Sequence, residues 1–332
     1  MKKPEQQPQA DSGHYLALCG GIGGAKLALG LSHLLKNRLT VVVNTGDDFQ
    51  HFGLHISPDI DTVIYTLAGK NNKELGWGLE NESWNFHDAM KKLGQESWFQ
   101  LGDRDLATHI TRTQLLADGK TLTEATHFLS KKFCIPSNII PMSDNSVRTM
   151  IGLKGSGFIP FQHYFVREKC QPEVDRFKFE GAELASPSPN LVSMLNNPQL
   201  KGIFICPSNP FVSIDPILSI PGLRGKIKAH PAPTIAVTPI IGGQSVKGPT
   251  TKMMQELGMD QSALTIAQNY ADLIDGFVLD EQDADLKCDI QKLGLQVTLA
   301  QSLMQSLDDR LNLARSCLDF SRSLTPAGPT PQ

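Results

Sequence analysis

Nothing in this sequence restricts the fold more than the stretch from His14 to Leu35. There a short apolar run empties into glycines, and apolar residues then recur at helical spacing. That order reads as strand, glycine loop, helix. Leu39 to Val43 is a second continuous apolar run, and it breaks into Asn44-Thr45-Gly46-Asp47-Asp48 as a strand buried on both faces does on entering a polar loop. The next helix has a clear start: Ser57 can cap it, Pro58 suits its first position, and Ile60, Val63, Ile64 and Leu67 repeat on one face. Gly202 to Cys206 and Thr234 to Thr238 repeat the buried-strand pattern, each followed by a polar loop and a helix, and Gly276 to Asp280 adds one more. Such alternation at both ends predicts an α/β fold, a Rossmann-like doubly wound and mostly parallel sheet with ligands at the carboxyl ends of its strands.

The middle of the chain differs in character. From Asn71 to about Leu200 it carries all three tryptophans, a helix expected from Asp105 to Leu116, and a second helix opened by a Thr121 to Glu124 capping box. Val147 to Ile151 and Phe158 to Val166 flank a glycine-rich stretch and predict an antiparallel hairpin. The expected organisation is a disordered tail over 1–13, a nucleotide-binding core built from 14–70 and 201–325, and an inserted lobe over 71–200.

With 332 residues, 40% of them hydrophobic, the chain can bury a full core. A net charge of -3 from nearly balanced acids and bases argues against a generic nucleic-acid or membrane-surface binder. No apolar run approaches the ~20 residues that span a bilayer. The six cysteines are scattered without a C-x-x-C pair, which suggests neither zinc nor a disulfide framework and fits reduced thiols in a cytoplasm.

Several stretches carry chemistry. Gly20-Gly21-Ile22-Gly23-Gly24-Ala25-Lys26 lies at a strand end before a helix, where backbone N–H groups can cradle a phosphate. It departs from the dinucleotide fingerprint because Lys26 stands where a third glycine would be, and from the Walker pattern because no Ser or Thr follows the lysine. Asp47, Asp48, Asp59 and Asp61 group hard oxygen ligands beside that loop, as a magnesium ion bridging a diphosphate requires, although Asp59 and Asp61 also suit a helix's first turn. In Leu101 to Arg112, with Asp105 as the helix cap, His109 and Arg112 project from neighbouring positions and can hold a carboxylate or phosphate; a solvated face is the plainer alternative. Pro207-Ser208-Asn209-Pro210 and Ile240-Ile241-Gly242-Gly243 with Lys247 repeat the phosphate theme after later strands, Asn209 offering a donor and acceptor for a base or ribose. Trp77, Trp84, Trp98 and Phe99 can stack on a flat heterocycle, although such residues are more often core.

GGIGGAKL, VVVNTGDD, HISPDIDTVIYTLAG, GWG, LGDRDLATHI, PMSD, CPSNPFVSIDPILSIPG and VTPIIGG together resemble one family closely, the 2-phospho-L-lactate transferases of coenzyme F-420 biosynthesis, from about Tyr15 to Asp280. The resemblance implies a Rossmann-like fold whose inserted lobe binds the acceptor, commonly as a homodimer. It implies a magnesium-dependent transfer of a phosphorylated small acid (phosphoenolpyruvate, 2-phospholactate or 3-phosphoglycerate) from its guanosine-diphosphate-activated form. The acceptor is the ribityl hydroxyl of the deazaflavin Fo, and GMP is released. By position Asp61 and Gln100 correspond to deazaflavin-binding residues, with Gln100 standing where some archaeal members have lysine and so implying a different contact, and Asp47 corresponds to a metal-linked residue of the bacterial branch. GDD places the chain nearer the bacterial pattern.

On that reading Gly21, Gly23, Gly24 and Lys26 lie near the donor's phosphates, and Ser208, Asn209 and Gly243 complete the nucleotide pocket. Asp47 and Asp48 hold magnesium, Arg104, His109 and Arg112 bind substrate, and Asp47 or Asp61 serves if a base is needed. Two rivals stand beside it. One is a nucleotide-sugar-binding regulator of a related morphogenesis and gluconeogenesis factor family, which shares the glycine loop but not LGDRDLATHI, GWG or CPSNPFVSIDP. The other is a nicotinamide-dependent oxidoreductase, against which Lys26 counts.

Overall fold

A computed structural model describes residues 13–324. The tail expected over 1–13 lies, from residue 12 back, outside them. Seven strands form one parallel sheet: β1 (His14–Cys19), β2 (Leu39–Val43), β3 (Asn138–Pro141), β4 (Leu200–Ile205), β5 (Thr234–Val237), β6 (Gly276–Asp280) and β7 (Gln296–Ala300). Their spatial order is 3-2-1-4-5-6-7, so the winding reverses between β1 and β4. The crevice at that reversal is where open α/β sheets bind ligands.

Alternate residues of β1 serve two cores. Leu16 and Leu18 pack with Val42, Ile203 and Ile205 on one face, while Tyr15, Ala17 and Cys19 join Val41, Val43 and Phe204 on the other. The near-continuous apolar runs of β1 after His14 and of β2, broken only by Thr40, are thus what a sheet covered on both faces demands. On the second face lie α1 (Gly21–Leu35), α2 (Pro58–Leu67) and the C-terminal α5 (Leu307–Ser323), the last two packed against α1.

The range 71–200 is divided between two places. Helix α3 (Asp103–Ala117) packs against α4 (Leu122–Lys132), α4 packs on β3, and β3 pairs with β2 to complete the central sheet. The capping box at Thr121 and Glu124 forms with both its hydrogen bonds. Beyond β3 the expected hairpin is present, Arg148–Leu153 with Phe158–Pro160, and Val174–Glu180 joins it in a separate antiparallel sheet. Two strands absent from the sequence reading, β3 and β7, are the sheet's edges. No helix among the described residues is long and apolar enough to cross a membrane.

Candidate active site

The glycines at the end of β1 are not a loop. Helix α1 begins at Gly21 itself, with Gly20 as its extended cap residue. A Cβ on Gly23 would collide with the carbonyl of Pro207, and one on Gly24 with the Ser208 hydroxyl, so β4's exit loop packs flush against the first turn of α1. Ser208 stitches the two exits together, its Oγ accepting from Gly20 N at 3.2 Å and donating to Gly20 O at 2.8 Å. Ser208, expected in a nucleotide pocket, therefore has a structural task at the switch point. Asn209 has a local task as well: its Oδ1 accepts from Phe211 N at 2.9 Å and caps the next turn. Gly242 and Gly243, both at positive φ, turn the tight Ile240–Ile241/Gln244–Ser245 hairpin, so that turn is itself sufficient reason for Gly243.

The acids after β2 surround the same helix terminus. Gly21 N donates to Asp59 Oδ1 at 2.7 Å, so a carboxylate from α2 takes the first free N–H of α1, which the phosphate reading reserved for a ligand. A single amide nitrogen, Asn44 Nδ2, donates to Asp47 Oδ1 at 3.0 Å and to Asp59 Oδ2 at 2.9 Å. Ser57 does not cap α2. Its hydroxyl turns instead to Asp48 Oδ2 at 2.8 Å, beside His55 Nε2 at 3.0 Å, and leaves Asp48 Oδ1 buried without a partner. All three carboxylates are buried. Burial, then the neighbouring Asp59, pushes Asp47 well above the usual carboxylate range despite the Asn44 hydrogen bond. Burial likewise raises Asp59 to about 6, against the hydrogen bonds from Asn44 and Gly21. Among the described residues no Lys or Arg pairs with any of the three. Hard oxygens and an unpartnered Asp48 Oδ1 are the donor type of a hard divalent cation, but these three carboxylates do not bring one oxygen each within 4.8 Å of one another, so two of them at most would ligate one ion in this arrangement.

Asp61, two residues beyond Asp59, has the opposite surroundings. Arg112, wholly buried, grips it with both Nη atoms, Nη1 reaching Oδ2 at 3.1 Å, and His109 Nδ1 lies 3.5 Å from the same oxygen. On its other side His109 Nε2 lies 3.3 Å from Asp105 Oδ2, and Tyr65 donates to Asp105 Oδ1. Asp105 is not the cap of α3. That place is taken by Gly102, and Glu82 reaches across to accept from the N–H groups of Arg104 and Asp105 at 2.8 Å each, which frees the Asp105 side chain to turn inward. Burial works against charge on Arg112, yet Asp61 outweighs it and holds the guanidinium above its ordinary value. Burial pushes Asp61 up, and Arg112 and His109 oppose that shift. Asp61, Asp105 and His109 have the spacing of a metal triad, but Arg112 already supplies the cation. Asp61 is thus committed to Arg112 rather than presented as a base, and His109 and Arg112 are interior residues, not a solvated face.

The remaining residues singled out by sequence lie around these two groups. Lys26 extends from α1 to the carbonyl of Met304 at 2.7 Å. Arg104 is exposed, its Nη1 on the carbonyl of Glu80 at 3.1 Å. Gln100 is exposed and follows Trp98 and Phe99. Those two rings meet the Phe49–His51/Leu54–Ile56 hairpin that leaves the acids: Phe49 lies 4.8 Å from Phe99 and His51 5.4 Å from Trp98, centroid to centroid. Trp98 also lies 4.9 Å from His163, whereas Trp77 and Trp84 pair with each other at 6.1 Å. A half-buried aromatic group therefore flanks the acid cluster.

The family description "2-phospho-L-lactate transferase CofD" matches residues 16–303, spanning both groups and the switch point. The chain belongs to this family. A phosphoenolpyruvate transferase of Kitasatospora aureofaciens is 37% identical over 316 residues, covering 93% of this chain and 98% of the relative. A 2-phospho-L-lactate transferase of Methanosarcina mazei is 40% identical over 296 residues, covering 89% and 96%. This CofD-family chain is accordingly an enzyme, a phospho-acid transferase of coenzyme F-420 biosynthesis. A solved member of the UPF0052 family from Bacillus halodurans superposes with a TM-score of 0.61 over 93% of this chain and all of that one; at 12% identity the likeness is one of fold. Motif reading missed the Arg112–Asp61 pair, whose partners lie 51 residues apart without local signal.

Proposed function

We propose that this transferase moves a phosphorylated three-carbon acid from its guanosine-diphosphate-activated form to the terminal ribityl hydroxyl of the deazaflavin Fo, releasing GMP, with magnesium held through Asp47 and Asp48 and with Asp59 beside them. The observation that carries the reading is the uncompensated trio of buried carboxylates against the first turn of α1, at the switch point where a nucleotide diphosphate binds in this class of sheet. Three acids there repel a phosphate unless a cation intervenes. A bound magnesium ion supplies Lewis-acid stabilisation of the charge on the diphosphate.

The chain's own residues then act by position. Asp47 and Asp59 are held by one amide nitrogen, which fixes their separation before a ligand arrives. Lys26 meets a phosphate from the side of α1, and the aromatic group at Phe49, Trp98 and Phe99 gives a flat acceptor ring a face to lie on, with exposed Gln100 at its edge. Aligning the hydroxyl with the phosphorus contributes up to roughly 7–11 kcal/mol, so a strong base is unnecessary. The test is incubation with Fo, magnesium and equimolar phospholactyl, phosphoenolpyruvyl and phosphoglyceryl guanosine diphosphates, read by mass. One new deazaflavin phosphodiester supports the reading and names the acid. No product, with no Fo binding by fluorescence, refutes it.

A further inference from the structure

The strand Leu54–Ile56 runs between the two acid groups, and its middle residue, His55, touches both. Successive side chains of a strand point to opposite faces. Ile56 is buried, and the His55 ring turns the other way, toward Asp48 in the loop after β2. Its backbone is held by α3, which packs against this strand. His55 N donates to Thr113 Oγ1 at 2.8 Å, and its carbonyl accepts from Arg112 Nη1 at 3.4 Å, the nitrogen that also bonds Asp61 Oδ2. The Thr113 hydroxyl proton goes to His109 O at 2.7 Å, one turn back along α3, which leaves an oxygen lone pair for His55.

The ring is held as well as the backbone. Gln50, paired with His55 across the hairpin, offers its Nε2 donor to Nδ1 at 3.5 Å; in the neutral ring Nδ1 therefore accepts and Nε2 carries the proton. Nε2 donates to Asp48 Oδ2 at 3.0 Å, and Ser57 Oγ donates to the same oxygen at 2.8 Å. Two donors on one carboxylate oxygen and none on Oδ1 set the direction in which Asp48 is free to bind. With Thr45 and His55, Asp48 lines a cavity of about 170 Å³, and Thr45 Oγ1 is likewise buried without a partner.

We propose that His55 is a positioning residue: α3, through Thr113 and Arg112, holds the strand so that the His55 ring fixes Asp48 with Oδ1 presented to a divalent cation. This role rests on the magnesium reading above and deepens it, since it names what orients one of the two ligands. A ligating carboxylate held on its other oxygen by an outer hydrogen bond loses little freedom when the ion arrives, which is how such partners raise metal affinity. The Asp61–Arg112 pair, which holds no ion itself, thereby gains a route to the other group, from the guanidinium to the His55 carbonyl and from the His55 ring to Asp48.

The test is calorimetric titration of the full chain with magnesium chloride, in wild type, His55→Phe, His55→Gln and Thr113→Val. Wild type binds magnesium, and His55→Phe, which fills the space of the ring without a donor, weakens binding about tenfold or more. His55→Gln, whose Nε2 takes the place of the imidazole Nε2, recovers most of that affinity. Thr113→Val keeps the ring but releases the strand backbone, and falls between wild type and His55→Phe. A merely structural histidine gives a different pattern: both His55 variants lower the ligand-free melting temperature, yet each keeps the wild-type rise on adding magnesium. Wild-type affinity in His55→Phe, or His55→Gln as weak as His55→Phe, overturns the role of His55 and leaves the magnesium reading standing. No binding by wild type, alone or with GDP, overturns that reading and this role with it.

Discussion

Two groups of buried carboxylates hang from the same short stretch of chain, and they differ in whether a cation comes with them. Asp61, with Asp105 behind it, is gripped by Arg112 and His109 from α3. Asp47 and Asp59 share one neutral amide, and Asp48 has a serine and a histidine. Burial alone does not distinguish them, since both groups are inside. What separates them is charge balance. A group balanced internally ties α2 to α3 and sets the geometry around it, whereas one left unbalanced at a switch point is prepared for something the chain does not carry.

The largest effect that would break this distinction is at Arg112. Arg112→Met should destabilise the fold by about 3–5 kcal/mol in urea unfolding, because Asp61 is left buried and unpaired, and adding Asp61→Leu should recover most of that loss. A small effect of the single variant would mean the pair is not a structural unit. At the other group the signs reverse. Asp47→Ala should cut turnover at least about 100-fold, about 2.7 kcal/mol of transition-state stabilisation, yet leave the melting temperature unchanged or higher because it relieves repulsion.

The pH dependence sharpens the same contrast. Asp59 moves from 3.8 to about 6 on folding, so the unfolded chain ionises first as pH rises. Its contribution to ligand-free stability is therefore fully present below pH 3.8 and lost as pH rises through about 6, on the order of 3 kcal/mol, and thermal unfolding with magnesium present should show that loss reduced. The smallest effect is expected at the aromatic flank. Trp98→Ala should weaken Fo binding in a fluorescence titration by roughly 1 kcal/mol and leave Asp47-dependent chemistry intact.

Much of the sheet could be read from sequence because its central strands are near-continuous apolar runs, as β1 from Tyr15 on and β2 apart from Thr40 are. Its edges could not. Asn138–Pro141 is short and ends in proline, and Gln296–Ala300 has two exposed residues, so neither shows a continuous run. The site was half legible. Four acids near a glycine run drew attention to one region, but which of them is compensated depends on Arg112, brought to Asp61 only by the packing of α3. The glycines themselves were ambiguous. Gly23 and Gly24 are equally suited to a phosphate and to the Pro207-Ser208 loop that meets them, and spacing does not tell the two apart. Ser57 was read as a helix cap, yet the nearby Asp48 captured its hydroxyl, and Asn209, read as a donor and acceptor for a base or ribose, spends its Oδ1 on the backbone of its own turn.

Magnesium titration by calorimetry, without substrate, tests the distinction most directly when wild type and Asp47→Asn are compared on either side of the pH of about 6 at which Asp59 titrates. Binding by wild type that strengthens above that pH, releases protons and is lost in Asp47→Asn is the result predicted. Equal binding by the two proteins, or none by wild type at either pH with GDP added, would contradict it.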